Sequence, residues 1–254
     1  MAAAASATLL QVENVSKSFG GVQANRSVSL DVAEGEIVGL IGPNGSGKTT
    51  VFNSIVGYHP IDSGSIRFAG QEISRLRVAS IARLGLIRTF QQTRVYRKMT
   101  CVQNMAISAP ATAGGGGLGA MLGLLDPAES ERALALLEFV GLYNLRERRA
   151  GELSFGQQRL LEFAMALMAK PRLLLLDEPT AGINPTLING VIDRLKRANA
   201  DLGVTLLVIE HNMRVIMNLA HRLYCLAHGE ILASGPPDAV RDDPLVIDAY
   251  LGAH

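Results

Sequence analysis

The sequence predicts an α/β fold built on a mostly parallel β-sheet. Clusters of Val, Ile and Leu alternate with helical patterns along the chain, which is typical of that fold class. Two clusters, 173–176 and 205–209, are continuously apolar, as expected for central strands that are covered on both faces. The N-terminal clusters alternate apolar with polar residues and end in glycine-rich turns, which favours an antiparallel sheet beside the parallel one.

The individual elements follow from these patterns. Predicted strands are 9–15, 28–32, 36–41, 65–68, 173–176, 205–209, 222–227 and 230–234. Predicted helices are 48–56, 127–140, 157–169, 185–199 and 213–219. Pro127 and Pro185 fall in the first turns of two of these helices, where a missing N–H costs nothing. Region 93–151 shows no strong strand, so we expect an inserted helical subdomain between two parts of the α/β core, 7–92 and 152–254.

The composition excludes several classes of protein. With 254 residues of which 48% are hydrophobic, the chain has ample material for a core and is not disordered. Its 24 basic and 23 acidic residues leave a net charge of +1, which argues against a general nucleic-acid binder. Cys101 and Cys225 match no metal-site spacing and indicate small buried residues in a reducing compartment. No Lys or Arg precedes Lys17, so no secretory signal is expected.

Two stretches between residues 73 and 125 are unusual in charge. Residues 99–125 carry no charge, but Pro110 and four glycines at 114–117 disfavour a helix, so we expect a glycine-rich excursion rather than a membrane span. A short interfacial segment is the remaining alternative. Seven basic residues lie between Arg75 and Lys98, and no acid occurs in 73–125. They indicate either a solvated basic face or contact with phosphates, an acidic partner or a membrane surface.

A phosphate-binding loop is the strongest motif. Residues 42–49 fit the pattern G-x-x-x-x-G-K-[ST] between a predicted strand and a predicted helix. Glycines let such a loop turn its N–H groups toward phosphate oxygens, and the helix N-terminus adds a favourable dipole. We expect Lys48 to reach the β- and γ-phosphates and Thr49 to offer its hydroxyl to Mg²⁺. The predicted nucleotide-binding residues here are Gly42, Pro43, Asn44, Gly45, Ser46, Gly47, Lys48, Thr49 and Thr50.

A pair of carboxylates ends a predicted central strand. Asp177 and Glu178 follow the apolar run 173–176, and ligands of doubly wound sheets lie beyond the carboxyl ends of strands. Asp177 is therefore placed to hold Mg²⁺, directly or through water, and Glu178 to polarise the attacking water. The alternative for this stretch alone is a strand followed by an acidic turn.

A second anion site is predicted where another helix begins. Ser154, Phe155, Gly156 and Gln157 offer a hydroxyl and backbone N–H groups at a helix start. Two such helix N-termini serve one nucleotide only if they face each other, which is most simply achieved by a partner chain. The alternative is an ordinary capped helix start.

Taken together, these motifs resemble the ATP-binding subunits of ABC transporters over nearly the whole chain. The resemblance implies a P-loop NTPase (RecA-like) core with an antiparallel β subdomain and an inserted α-helical subdomain, all in a single ABC ATPase domain, 1–254. It implies that ATP and Mg²⁺ are bound and that Ser154 and Gly156 contact the γ-phosphate of ATP held by the opposite subunit. It also implies that Phe19 stacks on adenine, although an edge-strand core residue is the alternative.

Two further residues take roles from the resemblance. Gln91 matches the glutamine that senses the γ-phosphate side, contributes to the Mg²⁺ site and signals to the membrane subunit. His211, after a predicted strand, matches the switch histidine. His59, His221, His228 and His254 form no ligand pattern and receive no role.

Three departures from the commonest family pattern help to indicate a subfamily. Phe155 stands where many members have Gly, Asn184 where Asp is common, and Met165 where Arg is frequent. Of these, Asn184 bears most on communication between two ATP sites. Together with the tail 243–252, the pattern is similar to the LivG-type ATPases of branched-chain amino acid importers. Relatives that move urea, amides or aromatic acids share much of it, and no residue of this chain should touch the solute.

The resemblance implies a set of partners and a location. We expect a second ABC ATPase subunit (LivF-like or a second copy), two transmembrane permease subunits and, indirectly, a periplasmic solute-binding protein, but no nucleic acid. The expected location is peripheral, on the cytoplasmic face of the inner membrane. A lipopolysaccharide-type exporter ATPase is an alternative within the family. Outside transport, the alternatives are an ABC ATPase acting on DNA or ribosomes, a GTPase and a small-molecule kinase, although the chain has no Asn-Lys-x-Asp motif.

Overall fold

The structure, a computed structural model, describes residues 7–89, 95–110 and 126–251. Its chain divides into two compact units. The first comprises Met1–Arg88, Arg172–Pro179 and Leu195–His254, and the second comprises Thr89–Pro171 and Thr180–Arg194. The predicted core and insertion boundaries at residues 93 and 151 stay a prediction.

The first unit contains two β-sheets. In chain order the strands are β1 Thr8–Phe19, β2 Val22–Ala33, β3 Ile37–Ile41, β4 Ser63–Phe68, β5 Gln71–Glu72, β6 Leu86–Arg88, β7 Leu173–Asp177, β8 Thr205–Ile209, β9 Arg222–Ala227 and β10 Glu230–Gly235. One sheet has four strands in the order β2-β1-β4-β5 and is antiparallel. The other has six strands in the order β10-β9-β3-β8-β7-β6, parallel except for the edge strand β10.

This architecture confirms the predicted fold class. The apolar runs at 173–176 and 205–209 form β7 and β8 inside the parallel sheet, and every residue of both strands is buried. In contrast, β1 and β2 alternate buried and exposed residues, as strands with one solvated face do. Sequence patterns missed only the short strands β5 and β6, which have two and three residues.

Helices occur in both units. In chain order they are α1 Lys48–Ile55, α2 Val78–Arg83, α3 Cys101–Ser108, α4 Pro127–Phe139, α5 Phe155–Met168, α6 Pro185–Leu202, α7 Met213–Leu219, α8 Pro237–Arg241 and α9 Pro244–Leu251, with 3₁₀ turns at Tyr143–Leu145 and Ala150–Glu152. All five predicted helices are present. The unpredicted ones, α2, α3, α8 and α9, have eight residues or fewer, which is too short for a clear period.

The second unit is helical. Helices α3, α4 and α5 pack against one another and bury apolar side chains such as Met105, Leu137 and Leu161. Helix α3 lies in the uncharged stretch 99–125 and begins at a capping box formed by Thr100 and Gln103. The predicted glycine-rich excursion falls mostly on 111–125, outside the described residues. Within the described ranges, no helix is both long enough and apolar enough to cross a membrane.

Arg222 joins the two sheets of the first unit. From β9, its Nη2 donates to Asp31 Oδ2 on β2 at 2.9 Å, and its Nε donates to Glu36 Oε1 at 2.8 Å. The hydroxyl of Tyr224 also donates to Asp31 Oδ1 at 2.9 Å. The Arg222 guanidinium therefore holds the pKa of Asp31 below its ordinary value. Because β9 neighbours β3, this cluster fixes the antiparallel sheet beside the strand that leads into the glycine-rich loop.

Substitution of Gly39, in the middle of β3, tests how tightly this region is packed. A Cβ atom there would lie 2.4 Å from Leu223 Cδ2 and 2.7 Å from Ile216 Cγ1. We therefore expect Gly39→Ala to lower the free energy of unfolding by about 1–3 kcal/mol in urea titrations. In the control, Gly21→Ala, the new methyl group meets nothing within 4 Å, and we expect a change within about 0.5 kcal/mol. Equal stabilities of the two variants would contradict the packing of β3.

Candidate active site

The loop between β3 and α1 is held against its neighbours by glycines. Gly42 has φ 145° and Gly47 has φ 105°, values that other residues rarely adopt. A Cβ atom on Gly42 would lie 1.9 Å from the carbonyl oxygen of Leu226, and one on Gly47 would lie 2.4 Å from that of Ala24. The loop therefore touches β9 at its start and β2 at its end, and only glycine permits both approaches.

The turn between β9 and β10 fixes the middle of the loop. Gly229 N donates to Ser46 O at 3.1 Å, and Arg26 N donates to Gly229 O at 2.8 Å. Backbone hydrogen bonds thus run from β2 through this turn to the loop. The surrounding strands thus support the conformation of the loop.

Lys48 turns its ammonium group back onto the loop. Its Nζ donates to Gly42 O and Pro43 O, both at 2.8 Å, and to Ser46 Oγ at 3.4 Å. The side chain is buried, and burial lowers the pKa of Lys48, while the charges of Glu178 and Asp177 oppose that shift. A charged group is therefore held ready beside two carboxylates.

The start of α1 is open to an anion. Gly47 occupies the N-cap position and provides no side-chain hydrogen bond, so the first N–H groups of the helix keep their capacity to bind phosphate oxygens. Thr49, in the first turn, is exposed, and Thr50 is partly buried. A glycine N-cap and an exposed threonine hydroxyl suit a phosphate site, and the binding roles of residues 42–50 stay a prediction.

Asp177 is engaged by an arginine that the sequence analysis did not single out. Arg88 Nη2 lies 2.7 Å from Asp177 Oδ2, with both side chains buried, and Arg88 Nη1 donates to Asn53 Oδ1 on α1. One carboxylate oxygen of Asp177 is thus committed to Arg88. Carboxylate and hydroxyl oxygens such as those of Asp177 and Thr49 are the hard donors that suit Mg²⁺. Across the described ranges, no group of three or more His, Cys, Asp or Glu side chains could hold a metal ion by itself.

Glu178 and His211 lie together at the ends of two neighbouring strands. Glu178 Oε1 lies 3.4 Å from His211 Nδ1, and the histidine is 58% exposed. The backbone of Glu178 has φ 50°, and its N–H donates to Ile209 O at 2.9 Å. A left-handed conformation at a non-glycine residue costs about 1–3 kcal/mol and is common at active sites. This strained turn directs the carboxylate toward the histidine.

Phe19 lies at the end of β1 with an exposed ring. Its side chain is 45% exposed, so the alternative of an edge-strand core residue does not hold. The ring makes an edge contact with His59 at 5.1 Å between centroids, and Lys17 Nζ lies 5.3 Å from its centroid. The free part of the ring is a platform of the kind on which a base stacks. His59, which received no role from the sequence, supports that platform.

In the second unit, Ser154 caps α5. Gln157 N donates to Ser154 Oγ at 3.3 Å, and Ser154 N donates to Gln157 Oε1 at 2.9 Å. The capped helix start that stood as the alternative is therefore present. The capping box does not prevent an anion from binding at this helix start, because other N–H groups of the first turn have no partners within the helix.

Phe155 packs on the segment that precedes α6. Phe155 Cε1 lies 2.9 Å from where a Cβ atom on Gly182 would be, and the Arg159 guanidinium lies 5.4 Å from the ring centroid. Asn184 Oδ1 accepts hydrogen bonds from Thr186 N at 3.1 Å and Thr186 Oγ1 at 3.0 Å. These two departures from the commonest family pattern thus have local structural roles, one in packing and one in starting a helix. Met165 is partly buried on α5, and no contact explains its presence in place of Arg.

Two residues near the site, Arg88 and Glu210, were not predicted from the sequence, and one predicted residue is not described. Gln91 falls outside the described residues. Arg88 ends a three-residue strand that no pattern marked. Glu210 is fully buried beside His211, and Asn212 N donates to its Oε2 at 3.4 Å. Only their position next to Gln91 and His211 in the sequence would have drawn attention to Arg88 and Glu210.

Removal of Arg88 tests the buried ion pair. Arg88→Met leaves Asp177 buried without its partner, and we expect the free energy of unfolding to fall by about 3–5 kcal/mol in denaturant titrations. Arg67→Met is the matched control, because Arg67 pairs with Glu72 at the surface, where both side chains are about half exposed. There we expect a loss of at most about 1 kcal/mol. Similar losses in the two variants would mean that Asp177 does not depend on Arg88.

Known families and proteins match this chain over most of its length. Residues 25–181 match the model of the ABC transporter family, and residues 230–254 match that of the branched-chain amino acid ATP-binding cassette transporter. The chain is 39% identical to the high-affinity branched-chain amino acid transport ATP-binding protein BraF of Pseudomonas aeruginosa, over 96% of this chain and 98% of BraF. It is 38% identical to LivG of Escherichia coli, over 96% of this chain and 98% of LivG.

Solved structures show the same relationship. A crystal structure of an ATP-binding cassette of an ABC transporter in its ADP conformation superposes with a TM-score of 0.87 at 34% identity, covering 97% of this chain and all of that one. A nucleotide-free ATP-binding cassette superposes with a TM-score of 0.85, also at 34% identity, covering 96% of this chain and 99% of the other. With its glycine-rich loop, paired carboxylates and histidine in the family's order, the chain belongs to the ATP-binding cassettes of ABC transporters.

Proposed function

We propose that this chain is the ATP-hydrolysing subunit of an importer of branched-chain amino acids. The observation that carries the hydrolytic part is the cluster around Lys48. The buried ammonium group of Lys48 interacts electrostatically with the carboxylates of Asp177 and Glu178, and His211 Nδ1 lies 3.4 Å from Glu178 Oε1. An ammonium group, two carboxylates and a histidine beside a phosphate-binding loop are what phosphoryl transfer to water requires.

Each residue has a defined part in the proposed reaction. Lys48 exchanges its carbonyl partners for β- and γ-phosphate oxygens, and the N–H groups that begin α1 bind the same phosphates. Thr49 and Asp177, with Gln91, would hold Mg²⁺, which would supply positive charge to stabilise the phosphate oxygens. Glu178 polarises the attacking water, and His211 orients Glu178 and the γ-phosphate side. Phe19 stacks on adenine.

A second subunit completes the proposed site. Ser154, Phe155, Gly156 and Gln157 of one ATPase subunit cap the γ-phosphate of ATP held by the other, so that two ATP molecules lie between two subunits. Either a LivF-like chain or a second copy serves as that subunit. Support comes from the start of α5, where an N-terminal turn combines a serine with glycine N–H groups.

The proposed solute and the proposed location are inferred from the relatives of this chain. BraF and LivG, which match almost end to end, are named for branched-chain amino acid transport. We infer the same solute class here, two permease subunits in the inner membrane, and a periplasmic binding protein that reaches this chain only through them. The chain then lies on the cytoplasmic face of that membrane. Exposed Arg75, Arg77 and Arg83, in a segment without acids, support a surface that docks on other components.

Replacement of Glu178 tests the hydrolytic assignment. Glu178→Gln keeps the shape of the side chain but removes the base, so we expect ATP turnover to fall by at least about 100-fold. ATP binding should persist, and a closed dimer should accumulate, as measured by size-exclusion chromatography with Mg²⁺-ATP. Glu230→Gln, at an exposed position of β10, is the control and should hydrolyse ATP normally. Normal ATP turnover in Glu178→Gln would show that Glu178 does not polarise the attacking water.

Reconstitution tests the solute. In proteoliposomes, the complex of this chain with the ATPase and permease subunits encoded beside it should accumulate leucine when ATP and the cognate periplasmic binding protein are supplied. The same complex with Glu178→Gln should not. Uptake of urea, an amide or an aromatic acid without uptake of leucine would overturn the proposed solute while leaving the ATPase assignment intact.

A further inference from the structure

The C-terminal helix α9 reaches the glycine-rich loop through one side chain. Gly42 N donates to the hydroxyl oxygen of Tyr250 at 2.8 Å. Val246, on the same helix, is buried, whereas Leu251 is exposed. The buried Val246 thus anchors the helix, while the Tyr250 hydroxyl accepts a hydrogen bond from the loop.

Gly42 is held from both sides. Its N–H is bound by Tyr250, and its carbonyl oxygen accepts one of the hydrogen bonds of Lys48 Nζ, at 2.8 Å. The residue is buried with φ 145° and lies against Leu226 O, so its N–H needs a partner that the sheet does not provide. The Tyr250 hydroxyl is that partner. Tyr250, Gly42 and Lys48 therefore form a direct chain from the C-terminal helix to the ammonium group that is proposed to bind phosphate.

Around this hydrogen bond the helix and the loop are not tightly packed. A cavity of about 290 Å³ separates them, lined by residues 43–46 of the loop, by His228 and by Asp248 and Ala249 of α9. On this side of the loop, the hydrogen bond from Gly42 N to the Tyr250 hydroxyl is a direct link between α9 and the start of the loop, which also lies against Leu226 O of β9.

The Tyr250 hydroxyl stays neutral under all ordinary conditions. Burial raises the pKa of Tyr250 to about 12. The group is therefore a constant acceptor for Gly42 N and does not add a negative charge near the phosphate site.

We propose that Tyr250 is a positioning residue of the nucleotide site. Its hydroxyl fixes the first peptide of the phosphate loop and so the carbonyl oxygen from which Lys48 is released to ATP. The C-terminal helix thereby sets the affinity for nucleotide. This inference rests on the proposed function, because it assumes that the loop binds ATP.

The alternative is that Tyr250 only anchors α9 to the rest of the unit. Two variants separate these roles. Tyr250→Phe keeps the ring and removes the acceptor, whereas Val246→Ala weakens the anchoring of α9 without touching the loop. Leu251→Ala, next to Tyr250 but exposed, is the neutral control.

The experiment measures the dissociation constant of a fluorescent ATP analogue with Mg²⁺, the melting temperature, and the KM and kcat for ATP in the full-length chain. For Tyr250→Phe we expect the dissociation constant and KM to rise about three- to tenfold, as for loss of one hydrogen bond. Its kcat should stay within about twofold of the wild type. Val246→Ala should lower the melting temperature with little change in nucleotide affinity, and Leu251→Ala should change neither.

Two results overturn the positioning role. One is an unchanged nucleotide affinity in Tyr250→Phe, whatever its melting temperature. The other is an equal loss of affinity in Val246→Ala, because Tyr250 would then act only by anchoring the helix. Lys48→Ala, measured alongside, must lose nucleotide binding. If it binds normally, the proposed site fails as well, and that failure is distinct from a failure of Tyr250 alone.

Discussion

The arrangement of the site depends on how a buried ammonium group is satisfied. Lys48 is removed from water, and removal of a charge from water is costly unless oxygen atoms replace the lost hydration. The carbonyl oxygens of Gly42 and Pro43 do so at 2.8 Å each. They are available only because the loop bends back on itself, and it bends only because glycine occupies positions at which a Cβ atom would collide with β2 and β9. One steric constraint thus links the glycines of the loop, the close approach of its backbone to β2 and β9, and the position of the Lys48 charge.

The two carboxylates of the site, Asp177 and Glu178, are held in different ways. Asp177 is fixed by a buried ion pair with Arg88, which fixes its direction at the cost of one of its two oxygens. Glu178, one residue later, has a strained backbone, and its Oε1 lies 3.4 Å from His211 Nδ1. In the proposed mechanism, rigid support suits Asp177, which must keep its place as a metal ligand, whereas Glu178 must follow the attacking water.

Sequence reasoning predicted the long elements and the motif residues but not their supports. Strands β7 and β8 could be predicted because parallel strands buried on both faces are continuously apolar, and the loop at 42–49 because phosphate binding leaves a fixed pattern. Arg88 and Tyr250 could not be predicted in the same way. Arg88 donates to Asn53 and Asp177, which are 35 and 89 positions away, and Tyr250 accepts from Gly42, which is 208 positions away; no local period records such contacts. The packing of Phe155 against Gly182 was hidden for the same reason, and the sequence showed only that Phe155 is unusual.

The most direct measurement of the central claim is a crystal structure of the wild-type chain with Mg²⁺ and a non-hydrolysable ATP analogue. We expect Lys48 Nζ to leave the carbonyl oxygens of Gly42 and Pro43 and to bind β- and γ-phosphate oxygens, while Gly42 N stays hydrogen-bonded to the Tyr250 hydroxyl. A triphosphate bound elsewhere, with Lys48 still on those two carbonyl oxygens, would contradict it.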